Sequence, residues 1–237
     1  MHQKLSSSLK NKALIARFGW LVAILVILSW GGVLFFNLSR AFSFADPLCW
    51  LWFLVQTHLF TGLFITAHDA MHGTVSPNRR LNNAVGRLAL GLFALNSWKK
   101  LLPKHHEHHR FVGTEADPDY GPPAFWSWYF KFVKTYISLW QIVGMAILFN
   151  IAKIWINEVN LIFFYVVPSV LSTMQLFYFG TYLPHQGEHA SENKHKSRTL
   201  PKNHLWAFVS CYFFGYHYEH HDQPGLPWWL LYRTKTN

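Results

Sequence analysis

Ten histidines fall in four short clusters whose spacing suits metal binding. His68 and His72 form H-D-A-M-H, while His105, His108 and His109 lie in H-H-E-H-H. His185 and His189 form H-Q-G-E-H, and His217, His220 and His221 form H-Y-E-H-H. On a helix, residues three and four apart share a face, so each cluster aims two or three imidazoles into one space. Imidazole suits zinc, copper, iron and nickel. A single zinc ion takes four ligands, so ten histidines suffice for two metals with four or five each. One H-x-x-x-H alone could be chance, or a satisfied histidine at a helix end. Two H-x-x-H-H copies beside two further pairs favour a shared metal site.

Two familiar metal patterns are absent. His106 and Glu107 begin the H-E-x-x-H of zinc proteases, but Arg110 stands where the second histidine belongs. The Glu-x-x-His pairs of ferritin-type di-iron bundles are also missing, because Glu107, Glu188 and Glu219 lack that spacing. Five histidines fall outside the clusters' ligand pattern. His2 is terminal, His106 points off its cluster's face, and His195 and His204 read as loop residues. His58 lies too deep in an apolar stretch for the site and reads as a polar link between helices or a pocket residue.

The elements that carry these clusters are apolar. Hydrophobic residues make up 51% of the 237, aromatics 18% and charged residues only 14%, against roughly 25% charged in a soluble domain. Cys49 and Cys211 both sit in apolar runs, which makes a disulfide framework improbable. Between Arg17 and Arg40 lie 22 uncharged residues, enough for a helix across about 30 Å of hydrocarbon. That run is too long for a signal peptide's apolar core and shows no small-residue cleavage site before Arg40, so a retained helix is expected. Pro47–Ala67 gives a second span of 21 residues, Thr135–Ala152 a third of 18 and Val159–Gly187 a fourth of 29, with Pro168 expected to kink it. Leu88–Trp98 and Asn203–Tyr218 are too short to cross and read as re-entrant or interfacial helices.

Loop charge orients this arrangement. Nineteen lysines and arginines fall on one side of the four spans and two on the other. The positive-inside rule then places both termini and every histidine cluster in the cytoplasm. The net charge of +10 is that of loops facing anionic headgroups. No nucleic-acid module, internal repeat or flexible linker is evident, so residues 1–237 read as one domain. The expected fold is an all-α integral membrane protein: about four transmembrane helices, short interfacial helices, and a cytoplasmic histidine-rich cap holding a di-metal site.

At these clusters the chain resembles the membrane di-iron desaturase and hydroxylase superfamily, which carries one H-x-(3 or 4)-H and two H-x-x-H-H boxes. The wording around the boxes is similar to that of bacterial and cyanobacterial β-carotene 4-ketolases. It comprises T-A-H-D-A-M-H-G-T-V from Thr66, E-A-D-P-D-Y-G-P-P from Glu115, Y-L-P-H from Tyr182, and Y-H-Y-E-H-H-D-Q-P from Tyr216. The similarity runs from about Phe64 to Trp229. It implies metal ligands at His68, His72, His105, His108, His109, His217, His220 and His221. Related desaturases add a ligand in an N-x-x-x-H pattern and related hydroxylases in H-x-x-x-H. His189 matches the histidine common to both and is expected to bind directly. His185 is expected as a further ligand, with a water-bridged role as its alternative. Asp69 and Asp117 read as acceptors orienting ligand histidines, or equally as cap or turn residues.

The resemblance also implies a reaction. Two non-haem irons with O2 as co-substrate, fed by an external electron donor of the ferredoxin type, would attack an unactivated C–H bond that no side chain can oxidise. The target is the C4 methylene of a β-ionone ring, hydroxylated twice and then dehydrated to a ketone, giving echinenone and canthaxanthin from β-carotene. The substrate would come from the bilayer of a bacterial inner or cyanobacterial membrane. Among the aromatics flanking the boxes, Trp126, Trp128, Trp228 and Trp229 suit an interfacial belt. Trp98, Phe111, Tyr120, Phe125, Tyr129, Phe130, Phe177, Tyr178 and Tyr212–Phe214 divide between belt and tunnel. A carotenoid hydroxylase or acyl-lipid desaturase would share the ligands. A metal carrier would need ligands along the spans, where only His58 lies.

Overall fold

The computed structural model describes residues 2–235, with side chains from residue 11 onward; the reading given to His2 concerns a side chain outside the described residues. The described residues are helical, with no strand. Helix α1 (His2–Ser39) and α2 (Pro47–Met71) are joined by a short turn. Asp46 starts α2: its side chain accepts from the Leu48 amide at 2.9 Å, Pro47 supplies the fixed φ of a first turn, and Arg40 pairs with it at 2.7 Å. Helix α2 is the centre of the bundle, packed against α1, α3 (Arg79–Leu92) and α8 (Val167–Phe177).

The C-terminal end of α2 is stopped by Gly73, whose φ of +72° lets the chain turn back. The Gly73 amide donates to the Ala70 carbonyl at 3.1 Å and the Thr74 amide to that of Asp69 at 3.0 Å. Asn82 on α3 then fastens the joint. Its Nδ2 donates to the Ala70 carbonyl at 2.7 Å, and its Oδ1 accepts from the Val75 amide at 3.2 Å. Helix α4 (Trp98–Phe111) follows a turn in which Ala94 and Leu95 have positive φ. The apolar piece expected over Leu88–Trp98 is therefore the end of one helix and the start of another.

The third expected span, Thr135–Ala152, is not one helix. Helix α5 (Phe125–Tyr136) and α6 (Leu139–Ala152) meet at 83°, because Ile137 and Ser138 take extended backbone and Ser138 caps the new helix at Gln141. The 14 residues of α6 reach only about 21 Å, short of the hydrocarbon thickness. Three helices are long and apolar enough to cross a membrane, Asn11–Ser39, Pro47–Met71 and Glu158–His185, or four if the bent pair counts as one.

The last span is a continuous rod of α7 (Glu158–Leu161), α8 and α9 (Leu183–His185) with two π-helical turns, Ile162–Val166 and Tyr178–Tyr182. Pro168 and Pro184 each follow one of these turns. Pro168, the expected site of a kink, is preceded by the π-helical turn Ile162–Val166. Asn160 near its start satisfies the last carbonyls of α1, donating to Asn37 at 3.1 Å and Arg40 at 2.7 Å. The piece expected over Asn203–Tyr218 is again divided. Helix α10 (His204–Cys211) ends at Tyr212 and Phe213, both with positive φ, and α11 (His217–Asp222) begins afresh.

Candidate metal centre

Four helix ends and segments deliver the histidines to one place. The last turn of α2 carries His68 with His72 as its cap, α4 carries His105, His108 and His109, α9 ends on His185, and α11 carries the final three. The structure sorts them into two groups. His68, His72, His105, His109 and His220 form one, and His108, His185, His217 and His221 the other. Within each, one nitrogen per ring lies within 4.8 Å of all the others.

The sorting follows helix geometry. Residues four apart share a face, whereas the residue next to one of them points about 100° away. His105 and His109 on α4 thus join the first group, while His108 turns to the second. Helix α11 does the reverse: His217 and His221 join the second group and His220 the first. Each H-x-x-H-H box therefore serves both groups, which sets them side by side.

The donor set fits two metal ions. His72 Nε2 lies 2.7 Å from His105 Nε2, and His109 Nε2 lies 3.2 Å from His220 Nε2. In the second group His217 Nε2 lies 2.9 Å from His185 Nε2 and 3.0 Å from His221 Nε2. Ligands at a metal–nitrogen distance near 2.1 Å sit about 3.0–3.4 Å apart along the edge of an octahedron or tetrahedron. His108 Nε2 is buried with no hydrogen-bond partner, as a nitrogen reserved for a metal would be. The rings also hold their lone pairs free. Burial first, and neighbouring imidazoles second, push His105, His217, His220 and His221 well below the usual histidine range. The same causes bring His72 down to about 3 and His109 to about 2. Neutral imidazole is the form that binds metal.

His108 differs. Burial lowers it, but Asp119 and Asp117 outweigh that and raise it overall. Its Nδ1 donates to Asp117 Oδ1 at 2.9 Å, and Asp117 also accepts from the amides of Asp119 at 2.9 Å and Gly113 at 3.0 Å. This carboxylate sets the ring's orientation and leaves Nε2 toward the group. His185 is fixed likewise by its Nδ1 donating to the Lys196 carbonyl at 2.7 Å. Asp119, missed in the sequence, stands 3.8 Å from His108 Nδ1 and accepts from the Tyr136 hydroxyl. Nothing but its place two residues after Asp117 could have pointed to it.

Several sequence expectations land elsewhere. His189 joins neither group. Helix α9 stops at His185, Gln186 is extended and Gly187 has φ +72°, so the i, i+4 spacing no longer places the two rings on one face. The order given to His185 and His189 is reversed in the geometry. Asp69 does not orient His68: its nearest oxygen is 3.9 Å from His68 Nδ1, and the carboxylate accepts instead from the Trp228 amide at 3.2 Å. His106 turns away, toward the Met71 carbonyl at 3.3 Å. His195 meets Asp222 at 3.3 Å, and His204 starts α10 with Nδ1 3.1 Å from the Tyr216 hydroxyl. His58 stacks on Tyr212 with centroids 4.3 Å apart and lines no part of the cavity described next.

A cavity of about 180 Å³ opens onto both groups. His68, His105, His109 and His220 of the first group and His108 and His217 of the second form one end, and Phe64, Phe93, Phe132 and Leu176 line its walls. Its most exposed lining residues are Ile137, at the break between α5 and α6, and Val170 on α8, at 44% and 52%. Of the aromatics singled out in the sequence only Phe214 lines it. Trp128, Tyr129 and Phe177 are buried in a separate cluster, and Trp126 and Phe130 are exposed.

Comparison with known proteins agrees with this geometry. The fatty acid desaturase family matches residues 45–157 and 126–236. The chain is 41% identical to a β-carotene ketolase of Paracoccus sp. strain PC1, over 89% of each chain. It is 40% identical to the β-carotene ketolase of a second Paracoccus strain, over 78% of each. It is also 40% identical to a zeaxanthin 4-ketolase of Chlamydomonas reinhardtii, over 73% of this chain and 41% of that one. No solved structure matches.

Proposed function

The chain belongs to the fatty acid desaturase family, and from that premise we propose that it is a carotenoid 4-ketolase. It converts the C4 methylene of a β-ionone ring to a ketone. The observation that carries this reading is the cavity: walls formed mainly of apolar side chains reach histidines of both groups, and the one carboxylate among the lining residues, Asp119, is engaged by the Tyr136 hydroxyl. The β-carotene ketolases at 40–41% identity support a carotenoid ketone as product, and the zeaxanthin 4-ketolase at 40% identity supports C4 as the carbon.

Two non-haem irons bound by the nine grouped histidines would supply the activation of O2 and the attack on C–H. Each oxidation consumes one O2, two electrons and two protons, releases one water and replaces one C4–H by C4–OH. The second makes a geminal diol, which loses water to leave C=O. The electrons come from an external donor protein, for which ferredoxin is the class proposed. An allylic C–H is weaker than its neighbours, which favours C4.

The chain's own residues bind and orient. Phe64, Phe93 and Phe132 exclude water and hold the ring. Asp117 keeps His108 in one tautomer, and the Lys196 carbonyl does so for His185. His189 is left outside the ligand set. The basic loops are assigned to the cytoplasm together with both termini, in the membrane of the producing cell, where reductant is available.

Expression in cells that accumulate β-carotene, followed by pigment chromatography, tests the proposal. Echinenone and canthaxanthin are the expected products. Pigments hydroxylated only at C3, or unchanged β-carotene with newly desaturated acyl lipids, would refute it.

A further inference from the structure

Oxidising one carbon twice poses a binding problem. After the first step the ring carries a hydroxyl on the atom that must react again. Apolar walls hold an alcohol no better than a hydrocarbon unless a polar side chain takes its hydroxyl.

Most polar groups on the cavity wall are already committed. Ser169 donates to the Val166 carbonyl at 2.7 Å, Thr173 to the Ser169 carbonyl at 3.0 Å, and Tyr136 to Asp119. Thr181 is different. It lines the cavity, it is 3% exposed, and among the described residues no hydrogen bond reaches its hydroxyl. It lies in the π-helical turn Tyr178–Tyr182, four residues before His185, whose Nε2 is 2.9 Å from His217 Nε2. Four residues of helix rise about 6 Å, so the free hydroxyl sits one turn from an imidazole of the second group. The preceding Gly180 also lines the cavity, and a Cβ there would come within 3.1 Å of the Phe214 ring. A single-turn π insertion is frequent at functional sites, and here it brings two successive residues to the cavity wall.

We infer that the Thr181 hydroxyl binds the secondary alcohol left by the first oxidation and retains it, with the remaining C4–H toward the histidines, for the second. The inference rests on the ketolase reading above. A threonine hydroxyl has one proton to give and two lone pairs to receive, so it serves an alcohol in either sense. Thr181 makes and breaks no covalent bond. It sets the proportion of alcohol that proceeds to ketone.

The test uses the full chain in membranes supplied with β-carotene and, separately, with the 4-hydroxy carotenoid. In Thr181→Val, which keeps the shape and loses the hydroxyl, the ratio of 4-hydroxy to 4-keto ring ends rises about fivefold to tenfold, as the loss of one hydrogen bond would give. The KM for added alcohol rises by a similar factor relative to that for β-carotene. Thr181→Ser restores a hydroxyl and brings both values back toward the parent's. An unchanged ratio in Thr181→Val, or Thr181→Ser as impaired as Thr181→Val, overturns the inference. Should Thr181→Val fail to accumulate, Thr181→Ala carries the same expectation and the same refutation. A parent chain making no C4 product overturns the ketolase reading itself, before any variant is compared.

Discussion

Replacing Asp117 by Asn tests whether the second histidine group is held from behind. Asp117 is 3% exposed, and its two oxygens accept from His108 Nδ1, the Asp119 amide and the Gly113 amide at 2.9–3.0 Å. Asparagine has one oxygen and one NH2, so whichever way it turns a donor faces a donor. A hydrogen bond with an ionised partner contributes about 1.5–3 kcal/mol. At 1.4 kcal/mol per factor of ten that is about 10- to 100-fold, the range found when a partner behind a metal-binding histidine is removed. The assay is iron per purified chain under a graded chelator challenge, with 4-keto pigment formed per unit protein. Iron falls from about two toward one per chain, and pigment falls about 10- to 100-fold. Asp69→Asn is the contrast: it keeps an acceptor for the Trp228 amide and touches no ligand nitrogen, so iron stays. Asp117→Asn retaining two irons against chelator, with activity within about twofold of the parent, would refute the reasoning.

Three further outcomes are expected. His185→Ala loses iron and activity, whereas His189→Ala keeps iron at the parent's stoichiometry, because only His185 faces the second group; the reverse result would mean that the chain beyond α9 folds back onto the metals. The metal-free protein loses stability as pH falls below about 6.5, the ordinary histidine value. His72, near 3, and His109, near 2, stay unprotonated in the fold while the unfolded chain takes up protons, at about 1.4 kcal/mol per pH unit for each such proton. Thermal unfolding at pH 7 and pH 5 checks this, and a higher Tm at pH 5 contradicts it. Finally, a cysteine replacing Ser43 reacts with an impermeant thiol reagent outside intact cells, while one replacing Asn193 reacts only after the membrane is broken. The native thiols are buried and do not interfere. Labelling at position 193 in intact cells would reverse the orientation.

The sequence by itself determined what depends on short-range spacing and on composition. An uncharged run of 22 residues is legible as a helix because every backbone group in hydrocarbon must be satisfied within its own segment. An H-x-x-x-H or H-x-x-H-H inside a helix is legible as a ligand set because four residues make about one turn. The same rule failed where the helix itself ended. The spacing of His185 and His189 is that of His68 and His72, yet Gly187 turns the chain after His185 and only the first ring reaches the group. Ile137 and Ser138 likewise break an uncharged run that reads as continuous. The tertiary structure alone decided which neighbours met across elements. Asp117 braces His108 and Asp69 does not brace His68, although both acids adjoin histidine boxes. Phe64, Phe93 and Phe132 line the cavity while nearly all the aromatics beside the boxes pack elsewhere. A side chain's type is written in the chain, but the surface it faces is set by the packing of helices far apart in sequence.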